Sequence, residues 1–543
     1  MKTIPLGPFL GLNNRIPLFA LHVDKVGDFL NPAEDIDIDN AGRVRRRRAM
    51  KLIHALSGVH SLYKTSDTTG YYVVANVLYA FTVAGAVVTQ GAALKTLTSN
   101  AALTYVAFGD DLFFSNGTDS GRITAGAWHP MALATPTLAL GTALSIIGGG
   151  LLAGWYQVGI SYGDNATGEE SGISASENIH LTTTGGIRVT LPTAPTGATH
   201  TNIYLSSANG EVPMWLAQVP AGATTYDCTT LAAGRESNGR FESPLPAGRL
   251  FMSNGRLCSI TGNRVYVGSP WKIGYYVPVN EDGTSAGYID FPAPVSVAIE
   301  AQTGTYIVAA KTHWFPGGDL ANVEAMVRDV LPYGAVPGTE FAVPDKPIVG
   351  WFGPMGVVLA DTMGQVTTPM NDNVDVTVPA SGNSIILQTE GYMRVVSCGY
   401  CMNLENNRAS TYTGWDFTSD SGDLGTKEDG IYQIAEGLVD SVIGLGKLDF
   451  GTEELKHLPA FYLGVDSEEP MNITVGSIDQ RTKQYVEYSY DTRSCGSGMQ
   501  IQRADPGKGL CANWFDITIR NTGGAEFKLS VASPAPINSK RKI

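Results

Sequence analysis

Six cysteines and eight histidines in 543 residues are few, and their placement excludes several chemistries. The cysteines lie at 228, 258, 398, 401, 495 and 511, too sparsely for a secreted disulfide scaffold. Cys398-Gly399-Tyr400-Cys401 has the spacing of a metal pair. A four-cysteine zinc site needs a second close pair, and fifteen residues intervene between Cys495 and Cys511. Incidental thiols are therefore expected, with no metal and no cofactor. None of the histidines shows HExxH spacing, and no Gly-x-Ser-x-Gly elbow precedes a helix. The carboxylates Glu169 and Glu170 are adjacent, so on a strand they face opposite sides and make a poor acid/base couple. The expectation is a protein that is not an enzyme.

Long apolar runs are also missing. The stretch 139–153 is apolar but contains Gly148-Gly149-Gly150 and is too short to span a bilayer. The first residues lack a sustained apolar core before a cleavage site, so neither a signal peptide nor a membrane-spanning segment is expected. Helical periodicity is scarce. Residues 320–330 are the best candidate for a short helix, weakened by Asn322 and Val323. A formal charge of -14 works against wrapping nucleic acid.

What the chain does have is turns. It holds 63 glycines and 29 prolines within a 43% hydrophobic composition, which indicates a folded, turn-rich protein. Apolar runs meet at Gly, Asn or Asp turns in 73–81, 105–117 and 257–270, and each reads as a hairpin. Their recurrence at intervals of roughly 35–50 residues predicts an all-β chain of stacked hairpins, as in a β-propeller. Texture divides the chain into an extended N-terminal arm over 1–40, a first part of the propeller over 41–135, an insert over 136–228, and the remaining propeller with closing strands over 229–543. The insert packs six or seven short strands into one small β-sandwich. Pro5, Pro8, Pro17 and Pro32 keep the arm extended, which makes it a natural clasp between subunits.

Two charged stretches stand out. Asp35-Ile36-Asp37-Ile38-Asp39 alternates as a half-buried strand does, Asn40-Ala41-Gly42 is a turn, and the return carries Arg43, Arg45, Arg46, Arg47 and Arg48, with Lys51 beyond. The aspartates lack the glycine and distal glutamate of a calcium loop. Three readings of the basic run stay open: contacts to DNA phosphates in a lumen, an inter-subunit ion-pair strip, or a solvated edge guarded by charge. The second stretch is a polar hairpin tip at 163–171, with Asp164, Asn165, Glu169 and Glu170 as its candidate exposed residues. Among the tryptophans, Trp155 and Trp415 lie beside polar loops and are the candidates for exposed stacking on sugars.

The arm also carries a family likeness. Gly11-Leu12-Asn13-Asn14-Arg15, followed by the stretch from Asp35 to Arg47, resembles the opening of phage tail-nozzle proteins, also called tail tubular protein B. Val265-Tyr266-Val267-Gly268-Ser269-Pro270, Leu331-Pro332-Tyr333-Gly334 and Trp514-Phe515-Asp516-Ile517 fit the same kind of tail protein. The insert resembles a fibronectin type III-like module. The likeness spans most of the chain as scattered signatures. It implies a structural component of a virion tail, assembled in the host cytoplasm. Subunits would close into a homo-oligomeric, hexameric ring below a tail adaptor protein and offer surfaces for tail fibres or spikes. The ring would retain double-stranded DNA before infection and let it pass during ejection. The alternative is a tail-associated adhesion or receptor-binding protein that recognises a host surface glycan through the insert tip.

Overall fold

The computed structural model describes residues 3–23, 25–231, 234–236, 242–270, 272–278, 287–317, 320, 327–389, 391–479, 482–493, 496–507 and 509–539. The chain is all-β, with 53% of residues in strands distributed over many small sheets. Among the described residues the only helical element is the single 3-10 turn Leu18–Ala20. Of the helix expected at 320–330, residues 321–326 lie outside the described residues, and Arg328–Leu331 is a strand.

The recurring element is a four-stranded antiparallel meander. Thr104–Phe108, Asp111–Ser115, Ser120–Thr124 and Ala127–His129 form one. Its first turn is Gly109-Asp110, with Gly109 at φ +59, the left-handed backbone that a two-residue hairpin turn demands. The same arrangement recurs over 60–96, 249–290, 297–331 and 341–367. A further meander over 384–411 forms one end of a nine-stranded sheet. In another, Ser419–Ser421, Leu424–Lys427 and Gly430–Ala435 take their fourth strand, Ala49–Ala55, from the opposite end of the chain.

The chain divides into two compact units. The first comprises residues 1–75, 79–92 and 330–543, and the second comprises 76–78 and 93–329. The largest core of the first unit is made by the nine-stranded sheet and a six-stranded sheet centred on Lys456–Asp466 and Lys528–Asn538. Phe461, Leu463 and Val465 alternate inward on the first of these strands, and Leu529 and Ala532, on either side of a register shift in the second, are buried with them.

The N-terminal segment departs from the expected arm. Its apolar residues Leu6, Phe9, Leu12, Leu30, Ile36 and Ile38 are all buried in that same core. The Leu6 amide donates to the Ala532 carbonyl, Ala33–Glu34 lies between Ala409–Thr411 and Val442–Leu448, and Val44–Arg46 pairs with Lys528–Asn538. The prolines do keep the segment out of long ladders, but between them its hydrophobic side chains fill sites in their own chain. A clasp on a neighbouring subunit would need those side chains free.

In the second unit, the residues of the expected insert form two facing sheets. Leu144–Leu151, Gly185–Thr190 and Thr225–Cys228 make one. Glu177–Leu181, Gly154–Asp164, His200–Leu205 and Met214–Pro220 make the other, with the two-residue strand Glu169–Glu170 on its edge. Tyr156, Val158 and Ile160 alternate inward from the long strand and meet Ile187, Val189 and Ile203 in a separate core.

Candidate functional site

The acidic and basic stretches that stand out in the sequence are the two strands of one hairpin. Ile36–Ile38 pairs antiparallel with Val44–Arg46, setting Asp37 opposite Arg45. Gly42, at φ +79, makes the turn, where a Cβ would come within 2.5 Å of Pro8. Ile36, Ile38 and Val44 fill the largest core, so Asp37, which alternates with them, faces the other side of the strand, where Tyr412 belongs to a second core cluster.

Each aspartate has a cationic partner. Arg43 Nε donates to Asp39 at 2.7 Å. Burial works against the Asp39 charge, but hydrogen bonds from the Arg43 backbone and guanidinium outweigh it and hold the carboxyl below its usual range. Arg47 donates to Asp35 and to the carbonyls of Arg48 (2.8 Å) and Thr413 (3.0 Å), and its guanidinium lies 5.2 Å from the Tyr412 ring centroid. Asp37, 2% exposed, faces the Arg394 guanidinium at 3.3 Å and accepts a hydrogen bond from the Tyr412 hydroxyl. Burial pushes the Asp37 carboxyl up against the opposing pull of Arg394 and Tyr412. The Tyr412 phenol is driven well above its usual value, first by burial and then by Asp37.

This placement answers part of the question left open by the basic run. Arg45, Arg46 and Arg47 are buried, and Arg46 reaches the Gly437 carbonyl and the carboxylates of Glu436 and Glu526 of the same chain. Arg48 meets Glu436 at 3.6 Å. The guanidinium groups that would make a DNA-facing or inter-subunit strip are mostly engaged by intrachain carboxylates and carbonyls. Arg43, with a 40% exposed side chain, and the exposed Lys51 are the members that reach solvent most.

The insert tip is smaller than expected. Asp164 is buried and accepts from the Ala166 amide and the Thr167 hydroxyl, both at 3.0 Å, which closes the turn. Glu169 is half-buried; it accepts from Arg122 at 2.7 Å, the Tyr275 hydroxyl at 2.6 Å and the Leu133 amide at 3.2 Å. Glu170 accepts from Ser161 at 2.6 Å, from Arg235 at 3.2 Å and from Tyr204. Burial opposes its charge, but these bonds win and hold the carboxyl low. Only 165–168, including Asn165, are exposed at the tip. The two glutamates therefore anchor the hairpin and do not offer it to a ligand.

Of the two tryptophans expected at the surface, Trp155 is 56% exposed and stacks on His180 at 4.7 Å, whereas Trp415 is buried between Tyr412 and Phe417. The Cys398 and Cys401 thiols are pushed up by burial, to about 11 and about 12, so both stay protonated at neutral pH. Among the described residues no group of three or more His, Cys, Asp or Glu converges as a metal site, and no helix is long and apolar enough to cross a membrane.

Sequence reasoning did not find Arg394 or Tyr412, and it reads Asp420, with Asp416 and Asp423, as an acidic surface turn. Arg394 lies between Met393 and Val395 in an apolar strand, where a lone cation implies a buried anion elsewhere, but nothing in the local pattern names Asp37. Asp420 accepts from Asn383 at 2.6 Å, and burial of its carboxyl pushes it up to about 7.

No family model matches the chain, and no curated protein matches it. Similar solved structures include the computationally designed Ika8 protein (12% identity, 67% of this chain and 98% of that one, TM-score 0.24). Another is a glycoside hydrolase family 43 arabinoxylan arabinofuranohydrolase from Bacillus subtilis in complex with cellotetraose (11% identity, 75% and 96%, TM-score 0.18). A third is apo AztD from Citrobacter koseri (11% identity, 70% and 90%, TM-score 0.27). At these TM-scores the likenesses carry no argument about fold or function.

Proposed function

We propose that the chain is a structural component of a bacteriophage tail, a nozzle or distal tube ring that retains DNA before infection and lets it pass during ejection. The observation that carries this reading is the strand Ala49–Ala55, which completes the sheet made by residues 419–435 and so joins two stretches far apart in the chain into one meander. Within each unit, other meanders lie side by side, as blades of a β-propeller would. Within the first unit, the leading strand His60–Lys64 lies against Ser419–Ser421, and Phe341–Ala342 lies against Ser384–Thr389. Within the second, Thr104–Phe108 lies against Arg249–Ser253, which lies against Val297–Ala301. Leading strands side by side are the packing of a propeller. Together with the scattered likeness to tail-nozzle proteins, this supports a scaffold whose work is mechanical. Closing subunits into a hexameric ring buries edges that would otherwise pair with other chains. The tail adaptor, fibres or spikes and the passing duplex are its proposed partners, and the virion tail its location.

A second reading, a tail-associated adhesion protein recognising a host glycan, is favoured by one observation, the exposed Trp155 stacked on His180 at the surface of the sandwich. The test is the mass of the purified protein and its electron-microscopic projections, alone and with extracts of assembling particles. The ring reading expects a sixfold particle with a central pore. A protein that stays monomeric even with tail partners overturns it and leaves the adhesion reading.

A further inference from the structure

A cleft of 360 Å³ opens on the first unit where Phe515–Asn521, Met471–Ile478 and Tyr485–Asp491 run side by side. Their register builds its chemistry. Asp516 pairs with Gly476, and Gly476 pairs with Glu487, so two carboxyls flank a position that has no side chain. The missing side chain at Gly476 leaves the room that the Tyr485 hydroxyl occupies, since a Cβ there would push that hydroxyl away. That hydroxyl lies 3.1 Å from Glu487 Oε1 and 3.4 Å from Asp516 Oδ2, donating its one proton between them. Among the described residues, the second oxygen of each carboxyl has no hydrogen-bond partner. Burial pushes the Asp516 carboxyl up, Lys447 and Tyr485 oppose this, and Glu487 adds to it.

Aromatic rings stand beside these acceptors. Tyr485 is 48% exposed and lies over Trp514 with centroids 6.5 Å apart and planes at 25°. Phe19, 54% exposed, meets the Trp514 ring edge-on at 5.8 Å, and the Lys447 ammonium sits 4.6 Å from the Trp514 centroid. Thr518 also lines the cleft.

We propose that this cleft binds a neutral saccharide. A sugar presents hydroxyl donors on its rim and C–H groups on its faces. The free carboxylate oxygens accept the former, and the half-exposed tyrosine ring covers the latter. The carboxylates disfavour uronic acids, sialic acids and phosphates by like-charge repulsion. A calcium ion needs six to eight oxygen ligands, and the Lys447 ammonium next to the site works against a cation. The inference goes beyond the ring reading, because the cleft is complete within one unit of one chain and its occupancy does not require assembly.

Saturation-transfer NMR and calorimetric titration of the full chain test it, with lactose, cellobiose and methyl β-galactoside as neutral probes, galacturonic acid as the anionic probe and Ca²⁺ as the cation. At least one neutral probe is expected to bind saturably, with galacturonic acid weaker. Glu487→Gln and Tyr485→Ala are each expected to weaken that binding about tenfold. The Glu487 side chain is exposed, so Glu487→Gln is expected to melt with the parent and its loss of binding is not a loss of fold. Three results overturn the proposal: no saturable neutral probe, binding unchanged in both variants, or Ca²⁺ bound at the carboxylates in place of sugar. A sixfold particle that ignores sugars refutes this site alone, and a monomer that binds them refutes the ring alone.

Discussion

Two hairpins of this chain carry dense charge, and they use it in opposite ways. Residues 35–48 are anchored by Ile36, Ile38 and Val44 in the largest core of the first unit, and Asp35, Asp37 and Asp39 meet Arg47, Arg394 and Arg43. The hairpin ending at 169–170 stands at the edge of the sandwich in the second unit. Glu169 and Glu170 hold its base and 165–168 reach solvent. The difference lies in the intervening residues. Ile36, Ile38 and Val44 draw the first hairpin inward, whereas Ala166, Thr167 and Gly168 give the second nothing to bury. A charge run reports a surface only when its alternate positions are polar as well.

The largest expected effect separates the core hairpin from any clasp role. Deleting residues 1–40 removes Phe9, Leu12, Leu30, Ile36 and Ile38 from the core. At about 2–5 kcal/mol for each large core side chain, the loss exceeds the roughly 5–15 kcal/mol that holds a typical domain together. Expression of this truncation is expected to give aggregate with no cooperative melt. A soluble, cooperatively folded truncation that fails only in assembly would restore the clasp.

The second hairpin sharpens the contrast. Glu169→Gln weakens three hydrogen bonds to a half-buried carboxylate, at an expected cost of about 1–2 kcal/mol in urea unfolding. A carboxylate elsewhere gives a pH signature. The Asp420 carboxyl, raised to about 7 from 3.8, binds its proton more tightly folded than unfolded. Its contribution to stability is therefore intact below the unfolded value and is lost as pH rises towards 7. Asp420→Asn is expected to gain stability at pH 8 relative to pH 4, read as a shift of urea midpoint relative to the parent. Equal shifts at both pH values would contradict it. The smallest effect belongs to the exposed tip, where Asn165→Ala is expected to change stability by less than about 0.5 kcal/mol.

Much of the local structure is legible in the sequence. The turn at 40–42 and the hairpins at 105–117 and 257–270 follow from glycine and asparagine between apolar runs, and the structure has them in place. Partners far apart in the chain are not legible. Arg394 and Asp37 are separated by 357 positions, and neither stretch signals the other. The proline-rich start reads as an extended arm, but it folds back into a small sheet of its own, and its burial depends on strands near residue 530 that share no local pattern with it. The Trp514 cleft is equally hidden, since Asp516 and Glu487 meet only through the register of Gly476.

The claim that the charged hairpin is an internal keystone is tested most directly by a double-mutant cycle on Asp37 and Arg394, read by urea unfolding. Asp37→Ala and Arg394→Ala are each expected to cost about 3–5 kcal/mol, because each strands a buried charge, and the double variant is expected to cost much less than their sum. Additive costs below about 1 kcal/mol each would contradict the account.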